Sequence, residues 1–398
     1  MSDARPDSPD RALELLRSRI TAVEHEHVEV PTSIGRVLGG ELRADRPSPA
    51  CDVSAMDGFA VRLADLARGP LPIAAEVRIG QPPPALVPGS VVRIVTGGAV
   101  PEGADTIVRR EVVREEHGTI VVDPAAAAAL VSGADIRRLG ENGRAGDLVV
   151  APGTVVDPAT ASAIASFGAA MLEVHRRVRV ALLVTGDELV EPGAPATAWQ
   201  VRESNGLALR ALFLKPWMEV RSYPRAVDEP DAMRAAIETA LEWADALVLT
   251  GGVSMGTRDH VPDALRACGV DVLFHRLPQR PGKPMLGGVA AGGRPVLALP
   301  GNPVSVLVTG TRIALPAIAR RAGIARERAP VHVRLQPAPE DSISLWWHRP
   351  VRIAADGSAS LVRLQGSGDV VAIAESDGFV ELPPHASGAG PFPFYEWS

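Results

Sequence analysis

Four carboxylates and three basic side chains stand beside glycine-rich loops between residues 185 and 284. Asp187 and Glu188 follow Thr185-Gly186 at the end of the apolar run 180–184, and Asp228 lies just ahead of an amphipathic segment. Asp259 follows Thr250-Gly251-Gly252-Val253-Ser254-Met255-Gly256-Thr257-Arg258. Carboxylates beside loops that can bind phosphate suit Mg²⁺, which takes oxygen ligands and keeps waters shared with phosphate. The same aspartates also serve as a helix cap (Asp228) or as ties for loop backbone (Asp187, Asp259), and the sequence leaves both readings open. The basic counterpart is the segment 275–284, His-Arg-Leu-Pro-Gln-Arg-Pro-Gly-Lys-Pro, carrying Arg276, Arg280 and Lys283. Its prolines hold the cations with little entropy to lose on meeting an anion, the arginines as forks and the lysine as a point charge. Lys283 and Lys215 are the only lysines of the chain.

Such residues need elements to bring them together. The run 246–249 reads as a strand, Thr250 to Gly256 as a loop whose amides can approach a ligand closely, and 260–267 as a helix with Pro262 near its start and Gly269 past its end. Strand, glycine-rich turn and helix make an anion-binding crevice at the carboxyl ends of an open α/β sheet. The glycine spacing is not the dinucleotide fingerprint, and Gly282-Lys283-Pro284 is not a P-loop. Two further strands, 180–184 and 295–299, end in Thr185-Gly186-Asp187-Glu188 and Pro300-Gly301-Asn302-Pro303. Three loops of this kind can converge on one crevice. Helices are expected over 207–214, over 232–243, and from Asn302-Pro303 to about residue 322.

Upstream, Ser8-Pro9 caps a helix with Ala12, Leu13, Leu16 and Ile20 on one face. From Arg46 to about Asp147 the texture is β-rich, and a helix then opens at Asp157-Pro158 and ends near Phe167-Gly168. The two helical pieces thus fit one domain interrupted by the β-rich one. Within that insertion Asp57-Gly58 reads by default as a hairpin turn, and 93–98 as strand plus turn. The alanine run 125–129 fits a loop or short helix. After Arg328 the helical pattern disappears, and 331–335, 351–353, 361–364, 370–373 and 379–382 are expected as short strands.

The 398 residues call for more than one domain. A net charge of −6 with no basic stripe argues against nucleic-acid binding. Cys51 and Cys268 offer neither a disulfide framework nor metal-ligand spacing, so a reduced, cytoplasmic protein is expected. No apolar run is long enough to cross a bilayer, and the N-terminus lacks a signal-peptide core. No histidine pattern points to a metal, and no nucleophile elbow or Cys–His pair to covalent catalysis.

Five motifs in register, Ser54-Ala55-Met56-Asp57-Gly58, Thr185-Gly186-Asp187-Glu188-Leu189, Thr250-Gly251-Gly252-Val253-Ser254, Pro281-Gly282-Lys283-Pro284 and Leu299-Pro300-Gly301-Asn302-Pro303-Val304-Ser305, closely resemble the molybdopterin molybdenumtransferases, MoeA-type enzymes related to the gephyrin E domain. The resemblance implies an α/β multidomain fold. A helical or mixed dimerisation domain would span 1–45 and 148–177, and an inserted β-rich domain 46–147. A Rossmann-like molybdopterin-binding domain would span 178–328, and a small β-barrel-like domain 329–398. It further implies a homodimer that transfers molybdate to adenylylated molybdopterin with release of AMP and a need for Mg²⁺, in transient contact with the adenylyltransferase and molybdoenzyme chaperones.

Carried over by motif, Asp57 and Thr96 come from the inserted domain across the dimer, and Glu188, Asp228 and Asp259 serve Mg²⁺ and the pyrophosphate. Lys283 joins them as a residue of the reaction centre. Arg280, Lys283, Ser305, Arg349 and Ser367 hold molybdate and the dithiolene end. Thr185, Gly186, Gly251, Gly252, Ser254, Arg276, Pro284, Pro300, Gly301, Asn302 and Pro303 complete the binding surface. The chain departs from the pattern at Asn142, where the family has Asp, at Arg276 and Arg280, often lysine, and at His260, often tyrosine. Two other readings fit: a related adenylyltransferase, which would consume ATP, and a non-catalytic molybdopterin-binding scaffold.

Overall fold

In a computed structural model, residues 6–253, 259–326 and 328–397 are described. The chain divides into two units, one of Met1–Gly40, Ala151–Ser162 and Ala169–Ser398, the other of Glu41–Val150 and Ala163–Gly168.

The larger unit is built on a six-stranded mixed sheet with the order Met218–Ser222, Val178–Val184, Ala246–Thr250, Arg294–Leu299, Leu286–Ala290, Asp271–His275. The first four strands run parallel, and Leu286–Ala290 is antiparallel to both neighbours. Period-two alternation sends apolar side chains to both faces. Val180, Leu182, Val248, Leu297 and Leu299 pack with Leu209, Leu212 and Leu16 on one side. Ala181, Leu183, Leu247, Leu249 and Val296 pack with Met233, Ile237 and Leu265 on the other. Burial on both faces explains why these strands read as unbroken apolar runs. Val178–Val184 pairs with Met218–Ser222 on one side and with Ala246–Thr250 on the other. The ends of Val178–Val184 and Ala246–Thr250 therefore flank a topological switch point, where such sheets bind ligands.

The helices Asn205–Leu212, Pro230–Trp243 and Val261–Ala267 stand close to their expected places. The helix after Asn302-Pro303 reaches Arg321 only through a π turn, Gly310–Ala314, between Pro303–Thr309 and Leu315–Arg321. Pro316 has no N–H to donate to the carbonyl of Arg312, which accounts for the irregularity there.

The C-terminal part forms a sheet ordered Gln279–Arg280, Trp346–Ile353, Gly378–Leu382, Phe392–Glu396, Val331–Val333. The basic segment thus lends it an edge strand, a pairing invisible at that sequence separation. The strand expected over 370–373 is instead a helix, Val370–Ala374. Asp369 caps it by accepting from the Ala372 amide at 3.1 Å, while Ile373 joins Val304, Val308 and Phe379 in a small core. Cap and packing override the β-branched propensity of Val370 and Val371.

The smaller unit carries a second six-stranded sheet, ordered Thr106–Arg109, Gly58–Val61, Val91–Ile94, Leu71–Glu76, Thr119–Val122, Val113–Glu116. Asp57-Gly58 is not a hairpin turn: Gly58 opens the strand Gly58–Val61. A Cβ on Gly58 would lie 2.0 Å from the Val108 carbonyl oxygen, so close strand approach, not turn geometry, requires glycine. Among the described residues no helix is long and apolar enough to cross a membrane.

Candidate functional site

Two cavities of about 740 and 920 Å³ open in the larger unit and share Pro284, Pro300 and Asn302 in their walls. The larger is lined by the ends of the parallel strands. Thr185, Gly186 and Glu188 come from the first loop, Gly251 and Gly252 from the second, and Gly301 and Pro303 from the third, with Asp228 and Asp259 beside them. Ser254 falls outside the described residues.

The loops touch one another. The Thr185 hydroxyl and backbone amide both donate to the Thr250 carbonyl, at 3.2 and 3.0 Å. The Asn205 side-chain amide donates to the Gly301 carbonyl at 2.7 Å. Gly251 lies at φ +90°, and a Cβ there would come within 2.6 Å of Thr185 Oγ1. Gly251→Ala is expected to cost roughly 1–3 kcal/mol from left-handed backbone plus this overlap. A thermal melt beside the parent checks it, and an unchanged midpoint would show that the loops relax freely.

The cavity is acidic. Burial, then the charges of Asp187 and Glu188, push the Asp228 carboxyl above its ordinary range, while the Asp187 amide and His260 pull the other way. The helix Pro230–Trp243 is capped at Glu229 with no side-chain bond, so Asp228 does not act as its cap. Among the described residues no three Asp, Glu, His or Cys side chains are gathered closely enough to enclose a metal. Mg²⁺ does not require such a cage, since it keeps waters and shares ligands with phosphate. Oxygen donors that repel one another are the donor set such a dication suits, so the residues present fit it.

The smaller cavity is basic. Arg280, Lys283, Ser305, Arg349 and Ser367 line it, with Trp347, Arg363 and Gln365, which the sequence did not single out. The basic segment closes on itself: the Leu277 amide donates to the Lys283 carbonyl at 2.9 Å and the Arg276 amide to the Met285 carbonyl at 2.7 Å. Arg276 sits at φ +84° in this turn and lines neither cavity. The Asn302 side-chain amide donates to Ser367 Oγ at 2.8 Å, which ties the C-terminal loop to the helix start. Among the described residues, no carboxylate lies within ion-pair distance of Arg280, Lys283 or Arg349. Burial, and the charge of Arg280, hold Arg349 below the ordinary arginine range despite Asp341.

In the smaller unit two weak motifs meet. Asp57 Oδ1 accepts from the Thr96 amide at 2.7 Å and from the Thr96 hydroxyl at 2.8 Å. The Gly97 amide donates to the Ser54 carbonyl at 2.8 Å. These bonds from Thr96, amide first, hold the exposed Asp57 carboxyl below its usual value. Asn142 accepts from Arg137 at 2.8 Å and donates to Ser48 at 3.3 Å, settling a turn.

The chain matches the family model described as the MoeA N-terminal region (domain I and II) over residues 8–168, and that of a probable molybdopterin binding domain over residues 181–320. It is 34% identical over 326 residues to a molybdopterin molybdenumtransferase of Nostoc sp., covering 79% of this chain and 73% of that one. To the Synechococcus elongatus protein of the same name it is 32% identical over 388 residues, covering 94% of each. A solved molybdopterin biosynthesis MoeA protein of Pyrococcus horikoshii superposes with a TM-score of 0.75 at 26% identity, over 98% of both chains. A second structure from that organism gives 0.81 at 24% identity, over 98% of this chain and 99% of the other.

Proposed function

The chain belongs to the molybdopterin molybdenumtransferase family, and on that premise we propose that its two adjoining cavities hold the two ends of one substrate pair. The protein is a transferase of molybdenum cofactor biosynthesis that inserts molybdenum into molybdopterin. In the proposed reading molybdopterin arrives adenylylated, its pyrophosphate lies over the loops at Gly186, Gly251 and Gly301, and its dithiolene end meets molybdate in the basic cavity. The observation that carries this is the shared wall: three cations without carboxylate partners among the described residues adjoin a carboxylate-bearing crevice at Pro284, Pro300 and Asn302.

The chemistry follows from the charges. Molybdate is a dianion, which the forks of Arg280 and Arg349 and the ammonium of Lys283 bind and orient. Ser305 and Ser367 supply neutral donors. Backbone amides of the glycine loops can approach the pyrophosphate closely. Glu188, Asp228 and Asp259 would hold Mg²⁺, which supplies charge compensation as the phosphoanhydride is cleaved. No general base is required: insertion into a dithiolene needs positioning and charge balance above all. In the same reading the protein is a homodimer in which Asp57 and Thr96 of a second copy complete each site, with Asp57 prepared for this by the two bonds from Thr96 that keep it ionised.

Purified protein with adenylylated molybdopterin, Mg²⁺ and molybdate is expected to release AMP, and to do so only when all three are present. No AMP from verified substrate would remove the proposal. Consumption of ATP with molybdopterin would replace it with adenylyl transfer.

A further inference from the structure

Two arginines that share one cavity repel each other, and in most proteins a carboxylate holds such a pair. Here an indole stands in that place. The parallel register puts Arg280 opposite Trp347, and Arg349 lies two residues further along the same strand, so all three side chains share one face of the C-terminal sheet. The guanidinium carbon of Arg349 sits 4.3 Å from the Trp347 ring centroid and that of Arg280 5.9 Å. Trp347 is itself half-buried against the small C-terminal core, which fixes its plane.

We propose that Trp347 is a positioning residue for oxyanion binding: its ring orients the forks of Arg280 and Arg349 without neutralising them. A carboxylate would orient them equally well, but it would cancel the charge that a tetrahedral dianion must find. The quadrupole of the indole attracts both cations and brings no net charge. Partial burial of Arg349 strengthens that attraction, while Arg280 reaches the ring from an exposed position. This proposal rests on the assignment of the basic cavity to molybdate.

The test uses the full-length protein and separates the two substrates. Trp347→Leu keeps an apolar side chain on the core and loses the ring face, whereas Trp347→Phe keeps a weaker ring. Loss of two cation–π contacts corresponds to roughly a 10-fold rise in the molybdate concentration for half-maximal AMP release in the leucine variant. The phenylalanine variant is expected within about 3-fold of the parent. The KM for adenylylated molybdopterin and the kcat at saturating molybdate stay near parental values. Direct titration of the same proteins with molybdate by calorimetry should show the same ranking, a readout that does not depend on turnover.

An unchanged molybdate dependence in a folded leucine variant overturns the proposal. So does an equal loss for both substrates, or a loss in the leucine variant that phenylalanine does not relieve, since each of these marks a packing role. If the parent itself binds no molybdate, the assignment of the cavity fails, an outcome distinct from failure of Trp347 alone.

Discussion

Lys283→Ala and Asp57→Ala are each expected to lower molybdate-dependent AMP release by on the order of 10²-fold or more, with the fold retained. Both side chains are exposed, so neither truncation opens a core cavity. Lys283 has no carboxylate partner among the described residues, so its charge is available to a ligand, and removing it takes a point charge from the cavity proposed for the oxyanion. Asp57 is held by Thr96 through one oxygen, which fixes the carboxylate, and among the described residues no cation forms an ion pair with it, Arg110 acting only as a weaker attraction. The proposed dimer makes a sharper demand. If each site takes Lys283 from one copy and Asp57 from the other, the two inactive variants, unfolded together and refolded, should regain activity, because hybrid dimers contain one intact site. Absence of recovery, with mixed dimers verified, would mean that both residues serve from the same copy, whereas an active Asp57→Ala variant would already show that Asp57 does not serve.

The second large effect concerns stability. Glu381 is buried and accepts from Arg312 Nε at 2.7 Å and from Arg312 Nη2 at 3.2 Å, and it lies 3.0 Å from His348 Nε2. Arg312 also pairs with Asp10, and so links the N-terminal helix, the π turn and the C-terminal sheet. Glu381→Gln leaves the Arg312 charge in the interior with a weakened partner. Breaking one side of such a pair costs about 3–5 kcal/mol, which should lower the melting midpoint by on the order of 10 °C. Replacing both ions, as Arg312→Met with Glu381→Leu, should recover part of that loss, because a well-packed apolar pair avoids the desolvation cost.

The same group sets an acid limit. Although burial raises it, the bonds and charges of His348 and Arg312 bring the Glu381 carboxyl down from 4.5 to about 2. A carboxyl depressed in the folded state contributes stability that is present above its unfolded value near 4.5 and is lost as pH falls toward 2. Denaturant melts across that window should show parental stability falling toward that of Glu381→Gln at the acid end. Parallel curves would show that the cluster carries no such linkage.

Much of this was legible in the order of residues. The apolar runs at 180–184, 246–249 and 295–299 read as strands, and each ended in a glycine-bearing loop. Ser8-Pro9 and Asn302-Pro303 marked helix starts because capping and a pre-set φ act over one turn. The basic segment was visible as charges held by proline. These signals are local, and local sterics and burial periodicity act within a few residues.

Other features needed the folded chain. The strand propensity of Val370 and Val371 yielded to an aspartate cap and a core built from residues far away in sequence. Gly58 resembled a turn residue until the backbone of Val108 was placed against it. The pairing of Asp57 with Thr96 crosses 39 positions, and the approach of Arg280 and Arg349 to the Trp347 ring depends on a strand register that no sequence pattern specifies.

By itself, then, the sequence determined which residue types could bind a pyrophosphate, a divalent cation and an oxyanion, and which short segments would present them. Tertiary structure alone decided that the carboxylates and the cations of the basic segment line neighbouring cavities with a common wall, and that an indole lies beside two of the arginines. The physical reason is range. Propensity and periodicity are properties of adjacent residues, whereas charge pairing, desolvation and register are set by groups that only folding brings within a few ångströms.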